Sequence, residues 1–349
     1  MAHLCIVGAG AAGAGAADAL RETDHDVTLL EKSRGVGGRA ATRRRNGCRY
    51  DHGANYVNPD DDGRTADLLR ELGTEGLTEV AGPVWTFDAD GAVEPGDAPD
   101  ADKWTWEAGI TQLAKRLLAR TDAEVRKTTR VASLREDDTG MWTVTDTEGG
   151  DHGPFDAVLL TPPAPQTAEL LGATTADSLS DGTLRAAREA VANVPYRTIR
   201  TLILHYDEPL ERPYYALVDT SKEHPIGWVS REECKPGHVP DGESLLVVQM
   251  SPEWSTAHYD EPLEDAAAIA ADHVAALLDD DRLRNPDWVD DQGWRYALPD
   301  AAVDGEPLSS LADAGLHVAG DWVAGEARVH AALWNGIETG ERLAKLAAE

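Results

Sequence analysis

A chain of 349 residues with 63 acidic and 32 basic side chains, formal net charge −31, is long enough for two domains. The acids fall in short dispersed runs such as Asp60-Asp61-Asp62 and Asp279-Asp280-Asp281, so they read as a solvated surface, not a disordered tail. A surface of that sign repels nucleic-acid phosphates and anionic lipid, which speaks against both partners and leaves a small-molecule substrate.

In chain order, His3-Leu4-Cys5-Ile6-Val7 is a short apolar run closed by a glycine turn, Ala11 to Glu22 is an alanine-rich helix, and Val27 to Glu31 is a second strand. Strand, helix and strand in about 30 residues make a βαβ unit and therefore a parallel sheet. Arg64 to Leu72 reads as a helix ended by Gly73, and Trp106 to Arg120 has apolar residues at helical spacing. Residues 124–147 read as a β-meander, and Phe155 to Thr161 as a buried strand stopped by Pro162-Pro163. Thr201 to His205, Tyr214 to Val218, Ile226 to Ser230 and Leu245 to Met250 alternate as strands of an antiparallel sheet do. A helix over about 261–279, a strand from Gly315 to Val318, Gly320-Asp321 and a helix over about 327–347 complete the chain. This predicts a discontinuous nucleotide-binding domain (1–75, 122–165 and 296–349) and a mixed α+β substrate domain (76–121 and 166–295).

The chemistry-bearing motifs follow the same order. Gly8-Ala9-Gly10-Ala11-Ala12-Gly13 stands between strand and helix, where Gly8 allows the tight turn, Gly10 the approach of a pyrophosphate, and Gly13 close helix packing. Glu31 ends the second strand, where a carboxylate accepts from ribose hydroxyls. The basic, glycine-rich Lys32-Ser33-Arg34-Gly35-Val36-Gly37-Gly38-Arg39 follows at once and points to FAD instead of NAD, with Arg39 near pyrophosphate or ribityl oxygens. In Tyr50-Asp51-His52-Gly53-Ala54-Asn55-Tyr56 the small residues Gly53 and Ala54 let backbone lie against an isoalloxazine. Asp321 is placed to accept from a ribityl hydroxyl, and the helix start at Val329 to stabilise negative charge on a reduced flavin.

With these motifs in that order, the chain resembles the renalase-like branch of the FAD-dependent amine oxidase superfamily along nearly its whole length. Glu31 to Arg39 and Asp51 to Tyr56 carry the resemblance, joined by Trp228, Ser230-Arg231, Lys235-Pro236-Gly237, Trp294-Arg295-Tyr296-Ala297 and Ala319-Gly320-Asp321-Trp322. The resemblance implies an α/β fold of the amine oxidase and p-hydroxybenzoate hydroxylase type, a Rossmann-type FAD-binding domain with an inserted substrate domain. It also implies Val131 as a backbone contact to adenine and a non-covalent flavin. The chain departs from the family pattern at Asn55, Val57 and His330-Ala331, on the flavin or substrate side.

A flavin needs little from the protein beyond positioning and a dry pocket. Aromatic walls suit that, and ten tryptophans stand against two phenylalanines. Trp228, Trp294, Tyr296 and Trp334 are the wall candidates, with Asn55 at the flavin and His52 or His330 as acid or base. The resemblance implies an oxidase passing electrons from a small reduced donor, a dihydronicotinamide isomer, to O2. An amine oxidase or desaturase is the alternative enzyme, and a non-catalytic nucleotide-binding module, as in the GDP-dissociation-inhibitor relatives, the alternative outside catalysis. Cys5, Cys48 and Cys234 and the scattered histidines show no metal-ligand spacing, so no metal is expected and the cysteines read as inert thiols. No apolar stretch reaches the ~18 residues of a membrane span, which places the protein in the cytoplasm. Dispersed acids with few lysines resemble the proteins of salt-loving organisms, where a Debye length below about 3 Å removes self-repulsion.

Overall fold

The computed structural model describes residues 1–60, 63–96 and 102–345; Asp61 and Asp62 of the first acidic run and positions 346–347 of the expected last helix lie outside them. The chain divides into two compact units, one of Met1–Arg39, Thr111–Tyr196 and Pro299–Glu349, the other of Ala40–Ile110 and Arg197–Leu298.

In the first unit a five-stranded sheet runs in the order Leu316–Val318, Ala157–Leu160, His3–Val7, Asp26–Glu31, Glu124–Lys127, with every neighbour parallel. Strands buried on both faces need continuous apolar runs, which is what Leu4 to Val7 and Ala157 to Leu160 supply. The helix Ala11–Ala19 lies against the helix Val329–Leu343 along a seam of small residues. A Cβ on Gly336 would fall on the Ala12 carbonyl oxygen, so only glycine lets the two backbones come this close. A second sheet joins Asp151–Phe155, Trp142–Asp146 and Val131–Glu136 as an antiparallel meander, with Thr174–Thr175 beside it.

In the second unit a seven-stranded mixed sheet runs Trp288–Pro299, Tyr196–Tyr206, Ser244–Met250, Ile226–Arg231, Ala216–Asp219, Val84–Phe87, Val93–Glu94. The helix Leu263–Leu278 covers one face with Ala266, Ala267, Ala270, Ala271 and Val274, packed in one core with Leu202, Leu204, Leu246 and Val248. The hairpin Thr42–Arg45 and Cys48–Asp51 packs on the same unit through Cys48, Tyr50, Ile203, Leu245 and Val247.

Three sequence expectations need correction. Residues 40–75 belong to the second unit, because their hairpin buries its apolar side against that sheet. Residues 166–196 belong to the first, because the helices Ala164–Gly172 and Asp181–Ala192 bury Ala168, Leu171, Ala187 and Val191 with Leu134, Trp142 and Val158. The helix expected over 106–120 is shorter. Trp104–Trp106 pairs as a strand with Leu77–Glu79, Gly109 turns the chain at φ +91, and the helix spans Gln112–Leu118, with residues 111–121 in the first unit. Among the described residues no helix is long and apolar enough to cross a membrane.

Candidate functional site

The glycine turn of the first unit is built to leave room at one point and none at another. Gly8 has φ +102, a conformation that side chains resist. A Cβ on Gly13 would fall on the Gly8 carbonyl oxygen, so the helix can start this near the strand only without one. At Gly10 the opposite holds: a Cβ there would meet nothing within 4 Å. Gly10 also caps the helix Ala11–Ala19 with no side-chain acceptor on its amides. The helix start at Gly10 thus opens onto free space with the positive end of the helix behind it, which fits a pyrophosphate, while Ala11 is half-buried and Ala12 packs into the core.

Glu31 is 5% exposed and ties two loops together, its Oε2 accepting from Ala9 N at 2.8 Å and its Oε1 from Ser33 N at 2.7 Å. Each oxygen keeps a further lone pair for a ribose hydroxyl. The basic loop folds back over the turn, Gly37 N donating to Ala9 O at 2.8 Å, with Gly38 beside Gly10 while Lys32 and Arg34 stay exposed. Arg39 and Asp321 were expected to meet cofactor oxygens separately. The structure joins them in a forked pair, Nη1 to Oδ2 and Nη2 to Oδ1, both at 2.8 Å. Gly320 N donates to Asn335 Oδ1 at 2.9 Å, which fixes this turn to the helix that Val329 opens. Val131 begins the strand Val131–Glu136 of the same unit.

In the second unit, the loop from His52 to Asn55 is held by three strands of one sheet. Trp294 Nε1 donates to His52 O at 2.9 Å, Gln249 Nε2 to Gly53 O at 2.7 Å, and Ser230 Oγ to Asn55 Oδ1 at 3.2 Å. The His52 ring stacks on Trp294 with centroids 5.4 Å apart and planes at 13°. Burial, aided by the Arg43 charge, pushes His52 down to about 4, so the ring is uncharged at neutral pH. Its Nδ1 is buried with no hydrogen-bond partner, as is Trp228 Nε1. Trp228 stands 6.2 Å from both Tyr56 and Tyr215, edge or tilted in each case, completing an aromatic cluster.

Beneath that loop lies an ion cluster with no exposed side chain. Lys235 Nζ is 3.0 Å from Asp51 Oδ2 and 2.7 Å from Glu232 Oε1. His238 bridges Glu232 Oε2 at 2.9 Å and Trp106 O at 3.0 Å. Thr42 Oγ1 and Ile110 N donate to Asp51 Oδ1 at 2.7 and 3.0 Å. Asp51, Glu232 and His238 are near enough to hold a metal, but the Lys235 ammonium already supplies the cation among the carboxylates.

Within the second unit the structure therefore brings Asn55, Trp228 and Trp294 into the surroundings of the His52 loop, with Gly53 and Ala54 on the loop itself. Tyr296 lies two residues beyond Trp294 on the strand Trp288–Pro299, half-buried. His330 and Trp334 are in the first unit, on the helix Val329–Leu343; His330 Nε2 is 3.5 Å from Glu326 Oε1. Sequence reasoning missed Gln249 and Tyr215 as site residues. For Gln249 a signal existed, a lone amide in the otherwise apolar run Leu245 to Met250.

Residues 6–72 match the NAD(P)-binding Rossmann-like domain, and residues 77–344 match the flavin containing amine oxidoreductase. Among solved structures the chain is similar to a protein assigned as a protoporphyrinogen oxidase from Exiguobacterium sp., at 16% identity and TM-score 0.79, with 99% of each chain covered. It is similar to the cyclohexylamine oxidase of Brevibacterium oxydans at 12% identity and TM-score 0.74, with 99% of each covered. A putrescine oxidase bound to putrescine matches at 14% identity and TM-score 0.70, with 98% of each covered. These likenesses establish the fold, and the family match extends over most of the sequence. The chain belongs to the flavin-containing amine oxidoreductase family and is a flavin-dependent oxidoreductase.

Proposed function

We propose that the protein holds FAD non-covalently and oxidises a small planar reduced ring of the dihydronicotinamide class, with O2 as the acceptor. The observation that carries this reading is the set of rings and amides beside His52: a neutral stacked imidazole, the amides Asn55 and Gln249, and the rings of Tyr56, Tyr215 and Trp228. Flat aromatic faces suit a flat donor, and the unpartnered His52 Nδ1 and Trp228 Nε1 suit its carboxamide. When bound, FAD supplies the hydride acceptance and the passage of electrons to oxygen.

The chain's part is then positioning. The open turn at Gly10, Glu31 and the Arg39–Asp321 pair support binding of the dinucleotide, along with Gly37, Gly38 and Val131. Trp294 and Gln249 hold the His52 loop rigid, and the surrounding rings exclude water. A second reading, an amine as donor, is favoured by the Tyr56, Tyr215 and Trp228 trio, whose faces attract an ammonium.

Anaerobic mixing of the flavin-loaded protein with the 2- and 6-dihydro isomers of NAD, and separately with a panel of small amines, tests both. Bleaching of the flavin by the isomers, reversed by air, is the expected result. Bleaching by amines alone would overturn the donor in favour of the second reading. Protein that takes up no FAD would overturn both.

A further inference from the structure

Three side chains from distant parts of the second unit meet away from the His52 loop. Cys48 opens the strand Cys48–Asp51, His205 lies near the end of Tyr196–Tyr206, and Glu243 immediately precedes Ser244–Met250. One ligand atom from each, the thiol sulfur, a ring nitrogen and a carboxylate oxygen, lies within 4.8 Å of the other two. Ligands around a tetrahedral zinc with bonds of about 2.0–2.3 Å stand about 3.3–3.8 Å apart, so small side-chain adjustments close the set. His205 Nε2 already reaches Glu243 Oε2 at 2.8 Å.

Two further features point to an ion. The His205 ring is fixed by stacking on Trp288, 4.9 Å away with planes at 13°. Its other nitrogen, Nδ1, is buried with no hydrogen-bond partner and lies 3.7 Å from Asp207 Oδ1. A carboxylate behind the second ring nitrogen is the arrangement that steadies a metal-ligating histidine. Cys48 and His205 are 1% and 3% exposed, while the half-buried Glu243 leaves a way in from solvent.

We propose that Cys48, His205 and Glu243 form a site for one divalent transition-metal ion of the zinc class, with Asp207 as the carboxylate supporting His205. Thiolate, imidazole and carboxylate together select zinc or cobalt over magnesium or calcium. On binding, the thiol proton leaves to solvent and a metal–sulfur bond takes its place, with no change of oxidation state. One dication against one thiolate and one carboxylate leaves the buried site neutral, which avoids the cost of an unpaired interior charge. The ion ties the hairpin strand that leads to Asp51 and His52 onto the sheet beside it, and so stabilises the folded chain by linkage. The pattern has no sequence signature, because positions 48, 205 and 243 come together only in the fold.

The test uses the full flavin-loaded protein, stripped with a chelator and titrated with Co2+. The expected result is one cobalt per chain with a near-ultraviolet thiolate-to-cobalt band, displaced by Zn2+. Cys48→Ser is expected to abolish the band and weaken binding at least about 100-fold, and Asp207→Asn to weaken it about 10-fold with the band retained. Cobalt bound without the band would overturn the proposal, as would no binding at all, or loss in Asp287→Asn with Cys48→Ser unaffected, which would place the ion instead among His205, Asp207 and Asp287. The wild-type spectrum decides the matter even where a variant fails to fold.

Discussion

Lys235 is the most consequential side chain to perturb, because its ammonium lies between two carboxylates that water does not reach. Burial by itself pushes an ammonium down, yet the Asp51 and Glu232 charges overcome it and hold Lys235 above its ordinary 10.5. Burial likewise pushes Asp51 up, but Lys235, His238, Thr42 and the Ile110 amide hold it below its ordinary 3.8. Lys235→Met keeps much of the stem and deletes the charge. Breaking a buried pair costs about 3–5 kcal/mol, a factor between roughly a hundred and a few thousand in the folded-to-unfolded ratio. Denaturant unfolding followed by tryptophan fluorescence reads the loss, since Trp106 is fully buried and bonded to the cluster through His238. Adding Asp51→Asn and Glu232→Gln to the variant removes the stranded charges and is expected to recover more than half of the loss. A single variant losing under about 1 kcal/mol, or a triple variant no better than the single, would refute the electrostatic account in favour of simple packing. The signs also fix a pH window. Asp51, depressed in the fold, stabilises above 3.8 and ceases to as pH falls through its folded value. Lys235, raised, stabilises below 10.5 and ceases to as pH climbs through its folded value, so the cluster contributes fully between those limits.

Further expectations concern other parts of the molecule. Arg39→Lys cannot reproduce the forked pair with Asp321 and is expected to weaken flavin retention at least about 10-fold, measured by flavin release on dilution; retention equal to the parent would show the fork to be dispensable. His52, depressed to about 4 from an ordinary 6.5, stabilises fully above 6.5 and loses that contribution as pH falls toward 4. His52→Asn is therefore expected to unfold over a shallower range between pH 6 and 4 in thermal melts, and an unchanged slope would contradict the buried neutral ring. With a net charge of −31, the melting temperature is expected to rise steeply from low to multimolar KCl, and a flat profile would sink the salt-adapted reading of the surface.

The strand–turn–helix at the start of the chain is legible in the sequence because its determinants are local. Gly8, Gly10, Gly13 and Glu31 act within one βαβ unit, where turn geometry and spacing carry the information. The pairing of Arg39 with Asp321 is not local, so a motif reading, which takes each residue with its own neighbours, has no sign of it. The compact units differ from the domains expected of the sequence for the same reason. The hairpin of Thr42–Arg45 and Cys48–Asp51 follows the nucleotide motifs directly, yet its apolar side chains find their partners some 150 to 200 residues later, at Ile203, Leu245 and Val247. Tyr215 has no sequence signal as a site residue, and the lone amide of Gln249 is only a faint one, because what distinguishes them is a partner, Trp228 for one and Gly53 O for the other.

The small-residue seam between the helices Ala11–Ala19 and Val329–Leu343 has a consequence for biogenesis. The first helix emerges from the ribosome early, but the surface it buries against is synthesised some 300 residues later. The strand Leu316–Val318, which completes one edge of the parallel sheet, is equally late. Sequence-distant pairings of this kind are slow to form, and until they do the alanine face and the sheet edge stay uncovered. The nucleotide-binding unit therefore cannot mature vectorially from its N-terminal half, and its assembly waits on nearly the whole chain.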